Sequence, residues 1–352
     1  MSNLVSISVS DRPGDTDEAG FVAHRVHSIP VVVIAPHNQC SCRCIMCDIW
    51  KIRDPQEITP QDLERQIKSL RDLGVRWIVF TGGEPQRNSE LFTLARMIRE
   101  DGIRVTLLTA GLQLEAQAKQ IVNTMDDVII SLDGPASVHN QIRGVPRAFE
   151  RITAGMKALR RHRPDIVICA RCTVQKKNHR HLCELTMVAK ENEFNSISFL
   201  AADVVSSAFN RPRAWPPQHQ QEVALTFEEV EALTAEIARL ISEHRQDLDS
   251  GFIVETPAKL GRIVSYFRAQ LGQGEHSAPP CNAPWVSAVI EASGQVRPCF
   301  FHEPVGNIRE NTLAEIINGP AALRFRSRLD IASNSVCRSC VCSLHIKQSA
   351  SI

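Results

Sequence analysis

Val31-Val-Val-Ile-Ala35-Pro-His-Asn-Gln39-Cys40-Ser-Cys42-Arg-Cys44-Ile-Met-Cys47 is the stretch that decides how this chain is read. A short β-branched run before Pro36 reads as a buried strand. Four cysteines follow within eight residues. Three of them, Cys40-x3-Cys44-x2-Cys47, make an awkward set for structural zinc, which closes with four ligands. They suit a cubane iron–sulfur cluster with three irons held by protein thiolates and one iron left open.

The remaining cysteines are unevenly spread. Of twelve in 352 residues, Cys169, Cys172 and Cys183 stand alone and are expected to fill apolar space. Five are C-terminal: Cys281, Cys299, Cys337, Cys340 and Cys342. One knuckle plus two distant cysteines leaves zinc open there as well as an iron–sulfur cluster. Two metal centres, one near each end, is the economical reading.

Outward from the first strand, apolar runs alternate with helical patterns. Strands are expected at Val31–Ala35, Trp77–Phe80, Val105–Leu108, Val128–Leu132, Val167–Ala170 and Ser196–Leu200. Thr59 reads as an N-cap with Pro60 in the first turn and Asp62 three residues on, and Leu63, Ile67 and Leu70 recur at helical spacing. Segments 89–100, 113–124, 147–161 and 179–191 read as helices too. Repeated strand–helix units with apolar strands predict an α/β fold with a parallel sheet. Six units are too few for an eight-fold barrel, so an open (β/α)6 barrel is expected, with its ligands at the C-terminal strand ends. Residues 1–27 read as an N-terminal arm, 28–250 as the barrel with a following loop and helix, and 251–352 as a linker helix and an auxiliary cysteine domain. A structureless segment is expected over 203–222, as substrate cover or spacer. Thr226–His244 reads as an amphipathic helix with Val230, Leu233, Ile237 and Leu240 inward.

Forty Lys+Arg against 39 Asp+Glu leave a net charge of +1, which argues against a dedicated nucleic-acid binder. No apolar run approaches a membrane span, and the first thirty residues carry Asp11, Asp15, Asp17 and Glu18 in place of a signal sequence. A cytoplasmic protein is expected, and clustered cysteines there point to metal or redox chemistry.

Cys40-x3-Cys44-x2-Cys47 after a first strand, Gly82-Gly83-Glu84-Pro85 after the second and Ser131-Leu-Asp133-Gly134-Pro135 after the fourth resemble the radical S-adenosylmethionine (SAM) superfamily. The resemblance runs from about Pro30 to Leu200. It implies that Cys40, Cys44 and Cys47 ligate a 4Fe–4S cluster whose open iron is chelated by SAM. One-electron reduction would then give methionine and a 5′-deoxyadenosyl radical that abstracts hydrogen. Gly82, Gly83, Glu84 and Pro85 would meet the methionine amino group, and Ser131 and Asp133 the ribose or carboxylate. Arg171, after the fifth strand, would pair with the carboxylate. Three departures stand out: Met46 and Ala110 replace an aromatic residue and an Asn often found in the family, and Cys42 lies off the spacing and is expected not to be a ligand.

The C-terminal pattern Cys281-x12-Gly294-x4-Cys299, with Cys337-x2-Cys340, resembles the SPASM/twitch extension of that superfamily. It implies a second, fully ligated 4Fe–4S cluster on Cys281, Cys299, Cys337 and Cys340, with Cys342 spare or an alternative fourth ligand. The spacing of the first pair resembles a twitch dehydrogenase acting on a cyclitol amine. The expected function is oxidation or epimerisation of a sugar- or cyclitol-like small molecule, with His302 as base, the auxiliary cluster as electron acceptor or relay, and flavodoxin or ferredoxin as reductant. A peptide-modifying maturase is the first alternative, although only 39 residues precede Cys40. A non-catalytic iron–sulfur or zinc protein is the second, and leaves Gly82–Pro85 unexplained.

Overall fold

The structure is a computed structural model that describes residues 24–209, 211 and 215–346. Most of the expected arm, 1–23, lies outside the described residues. All six expected strands form, as β1 (Val31–His37), β2 (Trp77–Gly82), β3 (Arg104–Thr109), β4 (Asp127–Ser131), β5 (Val167–Val174) and β6 (Ser196–Ala201). Each is followed by helix. The helix Pro60–Asp72 has the expected start: Thr59 accepts from the Asp62 N–H, the Asp62 carboxylate accepts from the Thr59 N–H, and Pro60 fills the first position.

Two compact units divide the chain within β3. One comprises Cys40–Ile52 and Leu107–Ser277. Here β4 pairs parallel with β5 and β5 with β6, and the register sets Ser131 beside Arg171 and Arg171 beside Ser198. In-register neighbours of a parallel sheet project to the same face, so these three polar residues form one row. The amphipathic helix after β6 runs Phe227–Glu243, with a capping box between Thr226 and Glu229, and it buries Val230, Leu233, Ile237 and Leu240.

The other unit comprises residues 24–39, Arg53–Thr106 and 278–346. In it β1 pairs parallel with β2 on one side and with β7 (Ser287–Ile290) on the other. Two short strands, β8 (Gln295–Arg297) and β9 (Gly306–Asn307), continue antiparallel from β7. All four β7 residues are buried. Asn282 ties this stretch to Ile346, taking its N–H on Oδ1 at 3.0 Å and donating to its carbonyl at 3.0 Å.

The expectation of a structureless segment over 203–222 is corrected for its last part. Pro217–Val223 is helical, entered through Pro216 at φ −63°, ψ 153° with Pro217 in the first turn. Proline's fixed φ and missing N–H suit that position, a start signal that the unperiodic Gln-His-Gln-Gln sequence behind it hides. Ala136–Arg143, after β4, is likewise helical and was not foreseen.

Candidate active site and auxiliary metal centre

The cysteine loop lies in the first unit. Cys42 and Cys44 are buried and pack with Leu112 and Ala148, while Cys40, Met46 and Cys47 are partly buried against them. The end of helix Ala136–Arg143 holds the loop through its backbone: the Arg43 N–H donates to the Arg143 carbonyl at 2.9 Å and the Ile45 N–H to that of Ile142 at 3.3 Å. Gly144 makes the approach possible, because at its φ of +61° a Cβ would lie 2.7 Å from the Arg43 carbonyl oxygen.

Arg143 then turns its side chain onto the thiols. Its Nη1 donates to Cys44 Sγ at 3.7 Å and its Nη2 pairs with the Asp133 carboxylate at 2.6 Å. The Cys44 thiol is held below its ordinary value by a hydrogen bond from Cys42 and by Arg143, against the opposing effect of burial. Burial pushes Cys47 up to about 12, with Arg211 opposing. A metal would displace those protons, since thiols bind as thiolates.

Asp133 is sealed beneath this loop. Its Oδ1 accepts the Thr173 N–H at 2.9 Å, its carbonyl accepts Asn178 Nδ2 at 2.8 Å, and its own N–H donates to His139 Nδ1 at 3.1 Å. Burial, helped by Arg143, lowers His139 to about 3, so the ring is neutral and able to accept. Asp133 is thus committed to these partners and to Arg143. Ser131 is half-buried and Arg171 exposed; Arg171 Nε donates to Ser198 Oγ at 3.2 Å. Cys172 is fully buried, and it takes a hydrogen bond from Asn178 at 3.5 Å, so its surroundings are in part polar and not the apolar space expected.

The Gly82–Pro85 turn belongs to the second unit. Gly82 ends β2 at φ +104°, where a Cβ would meet Ala35 Cβ at 2.5 Å. The Gly83 N–H donates to the His37 carbonyl at 3.2 Å and the Glu84 N–H to that of Gln39 at 2.8 Å, so the turn is laced to the residues preceding Cys40. Glu84 is buried, its Oε1 accepting the Gln86 N–H at 3.3 Å, and Pro85 opens the 3-10 turn Pro85–Arg87. A Cβ on Gly83 would stand 2.2 Å from the Gln39 carbonyl oxygen, a backbone atom. Gly83→Ala is therefore expected to lower stability by about 1–3 kcal/mol, the usual cost of overpacking, read by urea unfolding. A cost below about 0.5 kcal/mol would show that the turn can give way.

In the same unit Cys281, Cys299, Cys337 and Cys340 line a cavity of about 30 Å³ with Phe301 and His302. Asn334 fixes the Cys337 turn, its Oδ1 accepting the Val336 and Cys337 N–H groups at 3.0 and 3.1 Å. Cys340 Sγ donates to the Cys342 carbonyl at 2.9 Å. Burial pushes Cys337 up to about 12 and raises Cys299 and Cys340. His302 is 9% exposed, with Nε2 3.4 Å from Cys337 Sγ and its ring edge against Phe325. Burial lowers it below the usual imidazole value. The structure thus sets His302 among the cysteine thiols.

A family model described as the radical SAM superfamily matches residues 34–185, and one described as an iron-sulfur cluster-binding domain, SPASM, matches residues 281–341. The chain thus carries a radical SAM domain and, C-terminal to it, a SPASM domain. An AdoMet-dependent heme synthase of Methanosarcina barkeri is 29% identical over 157 residues, which are 43% of this chain and 44% of that protein. The matched stretch thus spans less than half of that relative's length. A pre-heme d1 synthase of Dinoroseobacter shibae is 24% identical over 323 residues, 85% of this chain and 76% of that one. Among solved structures, Streptococcus suis SuiB bound to precursor peptide SuiA superposes with a TM-score of 0.64 at 16% identity, covering 94% of this chain and 78% of that chain. This last likeness shows the fold, an unclosed α/β barrel with parallel strands and a C-terminal SPASM domain.

The radical SAM and SPASM domains imply SAM and 4Fe–4S clusters, and the residues present fit them. Both donor sets are sulfur alone, the ordinary iron–sulfur ligands. Among the described residues, three ligand atoms come within 4.8 Å of one another at Cys183, Glu243 and His244, where Arg239 Nε already donates to Cys183 Sγ at 3.4 Å. Neither cysteine set meets that spacing. Arg143 also keeps a buried Nε without an acceptor among the described residues, a donor that a cluster sulfide would satisfy. Sequence reasoning missed Arg143, His139 and Ser198. The one available signal was Arg143-Gly144, a helix end closed by glycine.

Proposed function

We infer that this chain is a SAM-dependent radical oxidoreductase with two 4Fe–4S clusters, acting on an organic substrate in the cytoplasm and reduced by a flavodoxin or ferredoxin. The observation that carries the reading is the unequal pair of thiol sets: three motif cysteines in one unit, with Arg143 donating to Cys44, and four lining a small cavity in the other. Three ligands leave an iron for SAM, and four leave none, which fits the second centre for accepting or relaying an electron. When bound, the reduced cluster and SAM together supply a 5′-deoxyadenosyl radical that removes hydrogen from a substrate C–H bond.

The protein's own residues bind and orient. Cys40, Cys44 and Cys47 would hold the first cluster, and Cys281, Cys299, Cys337 and Cys340 the second. Cys340 is favoured over Cys342 because its thiol lines the cavity while Cys342 offers its carbonyl to that thiol. Gly82, Gly83 and Glu84 would receive the methionine amino group, with Pro85 stiffening the turn. Ser131 would meet the ribose, with Asp133 acting through Arg143. Arg171, exposed beside Ser131, would take the carboxylate. His302, against Cys337, would hold or pass a proton at the edge of the auxiliary centre. The barrel is assigned to 28–250 and the auxiliary domain to 251–352.

For the substrate, a small molecule with a hydrogen beside an oxygen or nitrogen is preferred. The coverage of a pre-heme d1 synthase over most of both chains supports a small organic substrate. A peptide is the second reading, favoured by the fold shared with peptide-bound SuiB. The test uses reconstituted protein, dithionite, SAM and extracts of deuterium-labelled cells. Deuterium is expected in 5′-deoxyadenosine with the fraction of low molecular mass. Transfer from the peptide fraction alone would replace the first reading by the second, and no SAM cleavage with either would overturn both.

A further inference from the structure

The segment after β6 grips the cysteine loop, and Arg211 is the hand. Its side chain is fully enclosed, and its Nη1 pairs with Asp203 Oδ2 at 2.9 Å, itself 2% exposed. Nη2 donates to the Asp203 carbonyl at 2.9 Å and to the Met46 carbonyl at 3.0 Å, the peptide that leads into Cys47. The guanidinium stacks 3.8 Å over the Trp215 ring, and Trp215 Nε1 donates to Asp48 Oδ2 at 2.7 Å. The residues on both sides of Cys47 are thus held from one strap. Arg211 Nε is buried with no acceptor among the described residues.

A charge pair so enclosed is an oriented dipole, weakly screened by water. Its positive end reaches the loop that bears the three ligand cysteines through Nη2, and the Asp203 carboxylate is bonded to Nη1. Adding an electron to a cluster on that loop adds a negative charge, which a nearby cation stabilises and a nearby anion opposes. On the reading that Cys40, Cys44 and Cys47 hold the SAM-binding cluster, we propose that Arg211 and Asp203 set its reduction potential in opposite directions, Arg211 raising it and Asp203 lowering it, while the strap fixes their distance.

The test is an anaerobic redox titration followed by electron paramagnetic resonance, taking the signal that SAM perturbs, because SAM binds only a cluster with an open iron. In Arg211→Gln the ratio of reduced to oxidised cluster at a fixed poise is expected to fall about tenfold, a downward shift of about 59 mV for one electron. In Asp203→Asn it is expected to rise, with the iron content kept in both. Arg211→Lys should lie between wild type and Arg211→Gln. A strap with only a packing role would move the Gln and Asn variants together or neither, and that result overturns the proposal. Should Arg211→Gln fail to fold, the near-isosteric Asp203→Asn decides by the sign of its shift. Absence of any SAM-perturbed signal in the wild type would instead refute the assignment of the cluster.

Discussion

Replacing Cys40, Cys44 and Cys47 together by alanine is expected to halve the iron bound per chain, from about eight to about four, and to abolish reductive cleavage of SAM. The two cysteine sets lie in separate compact units, each with its own surroundings. The four cysteines around the Phe301 cavity belong to the other unit and should keep their cluster. Four irons therefore remain, and they have no open site for SAM. Iron and sulfide analysis together with 5′-deoxyadenosine formation checks the outcome. Four irons in the wild type with cleavage intact would remove the auxiliary cluster, and with it the case for net oxidation. Zinc in place of iron would remove the whole reading.

Asp133→Asn is expected to destabilise the protein by about 3–5 kcal/mol, the usual cost of orphaning one partner of a buried ion pair. Asp133 is completely enclosed and Arg143 nearly so, 2.6 Å apart. The amide keeps an acceptor for the Thr173 N–H, so the loss isolates the charge that answers Arg143. A guanidinium that has lost its carboxylate in a dry site keeps its contact to the Cys44 thiol, a weak acceptor. Arg143→Met in the same chain should recover part of the loss, since a buried pair replaced on both sides is often neutral. Anaerobic denaturant titrations of the single and double variants measure this. A single-variant cost under about 1 kcal/mol would mean that water reaches the pair.

What could be read in the sequence was what chemistry or period imposes on neighbours in the chain. Val31–Ala35 and Ser196–Leu200 are strands because β-branched and aromatic runs suit a buried pleat. The ligand cysteines are legible because iron–sulfur chemistry admits few other side chains. Arg143 and Arg211 were not legible. Their importance rests on turns that carry them back to Cys44 and Met46, and an arginine in a helix end or a loop looks the same in sequence whether it is solvated or enclosed. The row of Ser131, Arg171 and Ser198 depends on strand register, which a list of strands does not contain. Strands β8 and β9 are too short for any period to show, three and two residues long.

The parallel pairing of β1 with β7 has a consequence for biosynthesis. Val31 to Ile34 emerge from the ribosome early, yet their partners on one side are Ser287 to Ile290. Until those residues are translated, one edge of an apolar strand stays open to other chains. Parallel pairing across so long a stretch is slow to form, which prolongs that exposure. Nascent chains of this protein should need a holding chaperone until the last quarter is made. A barrel expressed without its C-terminal quarter should collect in inclusion bodies, even though every strand of the barrel itself is present.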